Sequence, residues 1–207
     1  MHVLSLCDRT GVMVQPWIEA GHHATIVDLQ HPVGETTEGR LTRVGADLFQ
    51  WTTRRRFDVV FAFPDCTEFA VSGARWWEAK GPTPFLWAME LVNRCRAIAE
   101  RSPVWMIENP VGRLSTWWRK PDHIFDPCDY GGYLSPPGDA YTKRTCLWTS
   151  PAFVMPPRSA WSRRTGAGCT LLRRGRSART SAAPRRKASR APSTRPTTSA
   201  TRLTPSA

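Results

Sequence analysis

Short continuous apolar runs, each closed by a turn-forming or polar cluster, alternate along the chain with stretches whose apolar residues recur every three to four positions. The run His2-Val3-Leu4-Ser5-Leu6-Cys7 is followed by the turn Asp8-Arg9-Thr10-Gly11 and by a helical pattern (Val14, Trp17, Ile18) closing at Gly21, which predicts strand, turn, helix. Ala24-Thr25-Ile26-Val27-Asp28 predicts a second buried strand, the polar stretch from His31 to Arg43 a loop, and a third short strand leads to Asp47. Phe57-Asp58-Val59-Val60-Phe61-Ala62-Phe63 is too short for a helix and rich in β-branched and aromatic residues, so it predicts a central strand ending at Pro64. From Pro82 to Arg101 the spacing of Phe85, Met89, Val92, Cys95 and Ala99 predicts the longest helix. Pro103-Val104-Trp105-Met106-Ile107 is then a strand that stops at Glu108-Asn109-Pro110; Lys120 to Pro137 is loop-rich, and Tyr141 to Thr149 adds a further strand. Strands alternating with helices imply an α/β fold with a mostly parallel sheet, whose ligands sit at the carboxyl ends of the strands. Cys7, Asp28, Asp47, Cys66 and Glu108 all fall there.

Charge changes the picture of the chain's length. The 207 residues carry 29 Lys plus Arg against 17 Asp plus Glu, a net +12 that by itself suggests a polyanionic partner. Residues 1–157, however, hold 16 of the basic and all 17 of the acidic residues, while residues 158–207 hold the other 13 basic residues and no acid. The expected organisation is therefore a nearly neutral catalytic domain, 1–157, followed by a basic low-complexity tail, 158–207, too poor in apolar residues to build a core. Six cysteines without a CxxC pair argue against a disulfide framework or structural zinc, so no metal is expected. With no apolar run of membrane-spanning length and no signal-peptide pattern, a cytoplasmic setting without membrane contact is expected.

A turn of small and polar residues after the first strand, with an acid ending the second, is the layout of a nucleotide-type cofactor site. The turn lets backbone approach the ligand, and the acid accepts hydrogen bonds from ribose hydroxyls. A strand-terminal Asp serves equally as a helix cap. Cys66, in Phe63-Pro64-Asp65-Cys66-Thr67-Glu68-Phe69, puts a potential thiolate nucleophile at the same crevice, and Glu108 puts a carboxyl group beside it whose pKa desolvation would raise. Cys7, Cys95 and Cys146 read more simply as buried structural cysteines.

The order of Leu6-Cys7-Asp8-Arg9-Thr10-Gly11, Asp28, Asp47, Phe63-Pro64-Asp65-Cys66, Ile107-Glu108-Asn109-Pro110 and Lys143-Arg144-Thr145 resembles the motif order of DNA (cytosine-5) methyltransferases in a compact, phage-type form, over roughly residues 1 to 157. The resemblance implies a Rossmann-like fold that uses S-adenosylmethionine to methylate carbon 5 of a flipped cytosine in DNA. Residue by residue, it implies that Asp8, Thr10 and Gly11 hold the methionine part of the cofactor, Asp28 the ribose and Asp47 the adenine amino group, with Cys7 and Pro64 in the same site. Cys66 would be the nucleophile toward carbon 6, Glu108 the acid at the ring nitrogen, and Arg144 the residue positioning base and loop. Thr67, Glu68, Arg75, Asn109 and Lys143 would surround the substrate.

Three positions depart from the family pattern. Asp65 replaces the usual Pro before the nucleophile, Arg9 a Gly in the first turn, and Pro110 the Val after Glu-Asn. No segment is long enough for the usual target-recognition domain. Two other readings stay open: a non-catalytic DNA-binding relative, and an enzyme of the same fold acting on a nucleotide or another base. Arg75-Trp76-Trp77 and Trp117-Trp118-Arg119-Lys120 fit either core anchoring or stacking on a displaced base; Arg54-Arg55-Arg56 is expected at a solvated helix end.

Two readings of the tail are open, a DNA-backbone arm or an out-of-frame translation. Permissible codons for Arg179 through Thr198, read one nucleotide earlier, spell NLRSATPEGFASAVYEANH, a string of mixed charge that resembles the family's carboxyl-terminal motif. That reading puts a frame shift between about Thr149 and Ala167 and leaves the fold incomplete at its C-terminus.

Overall fold

The computed structural model describes residues 1–161; of the tail expected at 158–207, all but the first four residues lie outside the described residues. Among the described residues the strands are β1 (His2–Leu6), β2 (His23–Glu38), β3 (Leu41–Gly45), β4 (Val59–Ala62), β5 (Val104–Pro110), β6 (His123–Phe125) and β7 (Thr145–Thr149). They form one sheet in the order β3-β2-β1-β4-β5-β7-β6. β1 pairs in parallel with β2 and β4, and β4 in parallel with β5, while β7 runs antiparallel to both β5 and β6. The architecture is a Rossmann-like α/β fold.

β1 and β4 read as unbroken apolar runs because both of their faces are covered. Leu4, Leu6, Val60 and Ala62 belong to one core cluster with Val27 and Ile107, and Val3, Val59 and Phe61 to the other with Ile26 and Met106. Helix α1 (Gln15–Glu19) follows β1 after a 3-10 turn at Val12–Val14, and Trp17 and Ile18 pack on the second cluster. A short helix α2 (Trp77–Lys80) precedes α3 (Thr83–Ala99), which has a proline in its first turn and buries Phe85, Val92, Cys95, Ile98 and Ala99 on the first cluster. Burying each large aliphatic side chain contributes about 1.5–3 kcal/mol. The last helix, α4 (Leu114–Trp117), follows β5.

Four sequence expectations change. The stretch from His31 to Arg43 is largely strand: after His31-Pro32 the second half of β2 folds over and pairs back along β3 in descending order, Gly34 with Gly45 through Glu38 with Leu41. Residues 32–38 are exposed, so no apolar alternation marks them. Gly45 leaves room for this crossing, because a Cβ there would run into the carbonyls of His31 and Pro32. β5 continues through Glu108-Asn109-Pro110, extended by pairing Glu108 with Leu147 and Pro110 with Thr145. The segment read as loop contains β6, and Arg54-Arg55-Arg56 are exposed outside any helix. Downstream of β7, the carbonyl of Ser159 accepts from Gly132 N (2.7 Å), and Trp161 N donates to the Cys128 carbonyl (2.8 Å).

Candidate active site

The end of β1 is a tightly wound turn. Cys7 takes a positive φ of 54°, a conformation that costs a non-glycine residue on the order of 1 kcal/mol or more. The Asp8 carboxylate consolidates the turn by accepting from Thr10 N (3.0 Å) and Gly11 N (2.7 Å) with one oxygen and from Ser5 Oγ (2.8 Å) with the other. Gly11 has φ 72°, which only glycine adopts without penalty. Asp8 thus shapes the turn and has both oxygens engaged, a role beyond what its spacing suggested.

Beside this turn lies a cavity of about 450 Å³, lined by Cys7, Asp28, Asp47, Phe49, Asp65 and Leu91 among others. Asp28 Oδ1 accepts from Gln30 N (2.8 Å) and Asp47 Oδ1 from Phe49 N (2.9 Å), so each acid is held by a backbone N–H two residues on, and its second oxygen has no donor among the described residues. Arg94 of α3 fixes the Asp47 loop by donating to the carbonyls of Leu48 (2.7 Å) and Trp51 (2.6 Å). Asp8 and Thr10 line an adjacent recess, which Cys7 and Phe63 share with the cavity, while Gly11 and Pro64 line neither. Sequence reasoning passed over Phe49, which is 44% exposed at the cavity and meets Trp87 edge-on at 6.1 Å. Its place two residues after Asp47 is the signal that marks it.

The second group forms where β4 ends and β5 runs on past it. Asp65 closes an Asx turn around Cys66 by accepting from Thr67 N (2.9 Å) and Thr67 Oγ1 (2.7 Å). Cys66's carbonyl accepts from Phe69 N and Ala70 N, and Ala70 bridges to Gly112 beyond β5. Gly112 is required there because a Cβ would occupy the place of the Phe69 carbonyl. Asn109, fully buried, donates its amide to the Pro64 carbonyl (2.9 Å) and ties the Cys66 loop to β5; its Oδ1 is buried without a partner. Asn109 therefore positions the loop from behind.

Burial pushes the Cys66 thiol above its ordinary range, the neighbouring Asp65 carboxylate pushes it further, and Glu108 adds to both; Lys143 opposes them. Glu108 is likewise raised by burial and pulled back by Lys143. Cys66, Glu108 and Lys143 therefore share one electrostatic environment. Arg144 is exposed; its carbonyl accepts from Val111 N (3.2 Å), and its charge acts on Cys146. Glu68 pairs with Lys80 (2.6 Å), and Arg75 lies over the Trp76 ring at 5.0 Å. Cys95 and Cys146 are buried, and Cys7 is half-buried with its Sγ 4.0 Å from that of Cys95. Among the described residues no group of His, Cys, Asp or Glu is arranged to hold a metal ion, and no helix is long and apolar enough to cross a membrane.

No family model matches the sequence, and no curated protein does. Solved structures do. One is a protein described as a candidate DNA modification methyltransferase encoded within a prophage, from E. coli; it is 14% identical, with a TM-score of 0.42, over 72% of this chain and 46% of that one. The chain thus spans about half its length. Another is the 1,6-didemethyltoxoflavin-N1-methyltransferase of Burkholderia thailandensis with bound S-adenosylhomocysteine, at 16% identity and a TM-score of 0.39 over 71% of this chain and 70% of that one. The 16S rRNA methylase RmtB matches at 14% identity and a TM-score of 0.34 over 72% of this chain and 55% of that one.

Proposed function

We propose that the chain is an S-adenosylmethionine-dependent methyltransferase acting on carbon 5 of cytosine in DNA through a covalent Cys66 adduct. The observation that carries this reading is that Cys66, in the loop after β4, and Glu108, a carboxyl group of raised pKa on the adjoining β5, act on one another's charge next to a cavity lined by three acids, Asp28, Asp47 and Asp65. The cavity fits the cofactor: its volume lies in the range of small-molecule sites, and Val27, Leu48 and Leu91 give it an apolar wall. The free oxygens of Asp28 and Asp47 are suited to ribose hydroxyls and an adenine amino group. When bound, the cofactor supplies an electrophilic methyl group.

Carbon 5 of cytosine is too weak a nucleophile to take that methyl unaided. The Cys66 thiolate adds to carbon 6, forming a C–S bond and an enamine, while Glu108, whose pKa burial raises, is the group that donates a proton to the ring nitrogen receiving the electron density. Methyl transfer to carbon 5 is followed by loss of the carbon 5 proton to water; the electron pair left behind expels the thiolate, and the ring nitrogen returns its proton to Glu108. Lys143 favours the charged form of both groups. The base leaves the duplex stack to reach them.

DNA in which 5-fluorocytosine replaces cytosine tests the reading, since fluorine at carbon 5 blocks the final elimination. The expected result is a denaturation-resistant protein–DNA adduct that disappears in Cys66→Ser. An adduct of equal yield in that variant overturns the mechanism. A second reading, a DNA-binding relative without catalysis, is favoured by Asp65, which opposes thiolate formation; it predicts DNA binding with no adduct.

A further inference from the structure

We propose that the surface around Arg113, Trp117 and Trp76 holds the DNA strand beside the reactive base, Arg113 gripping a phosphate and the two tryptophans stacking on neighbouring bases. The proposal rests on the DNA reading above and extends it to residues that no motif of that reading contains. Arg113 begins the segment that leads from β5 into α4, and its backbone N donates to the Phe69 carbonyl (2.9 Å), three residues from Cys66. Its guanidinium lies 4.4 Å from the Trp77 ring centre and 4.0 Å from that of Phe85. Among the described residues it meets no carboxylate and no other acceptor. Its N–H donors therefore have no protein acceptor among the described residues, and a planar cation with free donors suits a phosphate. By contrast, Arg43, Lys80, Arg96 and Arg119 each have an acidic partner.

The aromatic side chains continue outward from this cation. Trp117 packs one side against Phe85 at 5.2 Å and is still 61% exposed; Trp76, next to Trp77, is 54% exposed with Arg75 over its ring. Large aromatic faces left in water beside unpaired cations match the stacking platforms of proteins that bind unpaired nucleotides. Both lie on segments that leave the Cys66 and Glu108 loops, where an extruded base would leave its neighbours unstacked.

The test measures anisotropy of a short fluorescein-labelled DNA, as duplex and as single strand, across a salt series with the full chain. The tail contributes the same background to every variant, and S-adenosylhomocysteine affinity is followed in parallel to verify folding. Trp117→Ala is expected to weaken DNA binding at least about fivefold with S-adenosylhomocysteine affinity unchanged, and Trp117→Phe to restore most of it. Arg113→Met is expected to lower the salt slope by about one phosphate contact, while Arg113→Lys keeps the slope. If the parent binds DNA and both Trp117→Ala and Arg113→Met bind it equally well with unchanged slopes, the proposal is wrong and the methyltransferase reading stands. A parent chain that binds no DNA in either form overturns both.

Discussion

Replacing Asn109 with aspartate changes one atom's chemistry at the point where the Cys66 loop is tied to the sheet. Asn109 is fully buried, and its amide donates to the Pro64 carbonyl at 2.9 Å. A carboxylate in its place has no donor, faces a carbonyl oxygen, and adds a charge next to Glu108 in a site that already resists ionisation. Leaving such a charge buried and unpaired costs about 3–5 kcal/mol. Taking up a proton instead restores a donor toward Pro64. The introduced carboxyl group therefore has a folded-state pKa above its unfolded value of about 3.9. Its contribution is intact below that unfolded value and is lost as pH rises through the folded one. Chemical denaturation from pH 5 to pH 8 should show Asn109→Asp losing stability steadily as pH rises. Asn109→Ala removes the donor but also the partnerless Oδ1, so it should lose only about 1–3 kcal/mol, independent of pH. An Asn109→Asp variant as stable as the parent at pH 8, or one with a flat profile, would refute the tie.

Asp65→Asn keeps an acceptor for Thr67 and removes the carboxylate that raises the Cys66 thiol. Alkylation of Cys66, followed by peptide mass spectrometry, should shift to lower pH, and an unmoved profile would contradict the assigned cause. Gly112→Ala pushes a Cβ into the Phe69 carbonyl and should destabilise by about 1–3 kcal/mol while displacing the Cys66 turn; thermal denaturation with thiol-reactivity measurement checks both. The proposed change of reading frame lies between about Thr149 and Ala167. Sequencing the coding DNA decides it: codons for Thr180 to Thr198 that give no such string in the adjacent frame end the idea.

The buried parallel strands were legible because both of their faces are apolar, and α3 because one face is. What escaped is held by strand pairing that leaves no apolar period in the sequence. Val33–Glu38 lies at a sheet edge where residues 32–38 are exposed and carry no period, and three-residue β6 exists through its register with β7. Glu108 and Asn109 read as a strand terminus because the partner that extends β5 is antiparallel and lies some forty residues on. At the site, Asn109's residue type suggested a substrate contact, whereas its full burial makes it a tether. Arg113 gave no signal at all, since its stacking depends on Trp77 and Phe85 arriving from another segment.

The central claim is that Cys66 drives methyl transfer to cytosine in DNA. The most direct measurement is transfer of a labelled methyl group from S-adenosylmethionine to DNA, run on the chain as it stands, on the chain with its tail restored to the alternative frame, and on Cys66→Ser in each. The account predicts label at carbon 5 of cytosine, strongest in the restored chain and absent in both Cys66→Ser forms. Label that persists without Cys66, or that appears on a free nucleotide and never on DNA, would contradict it.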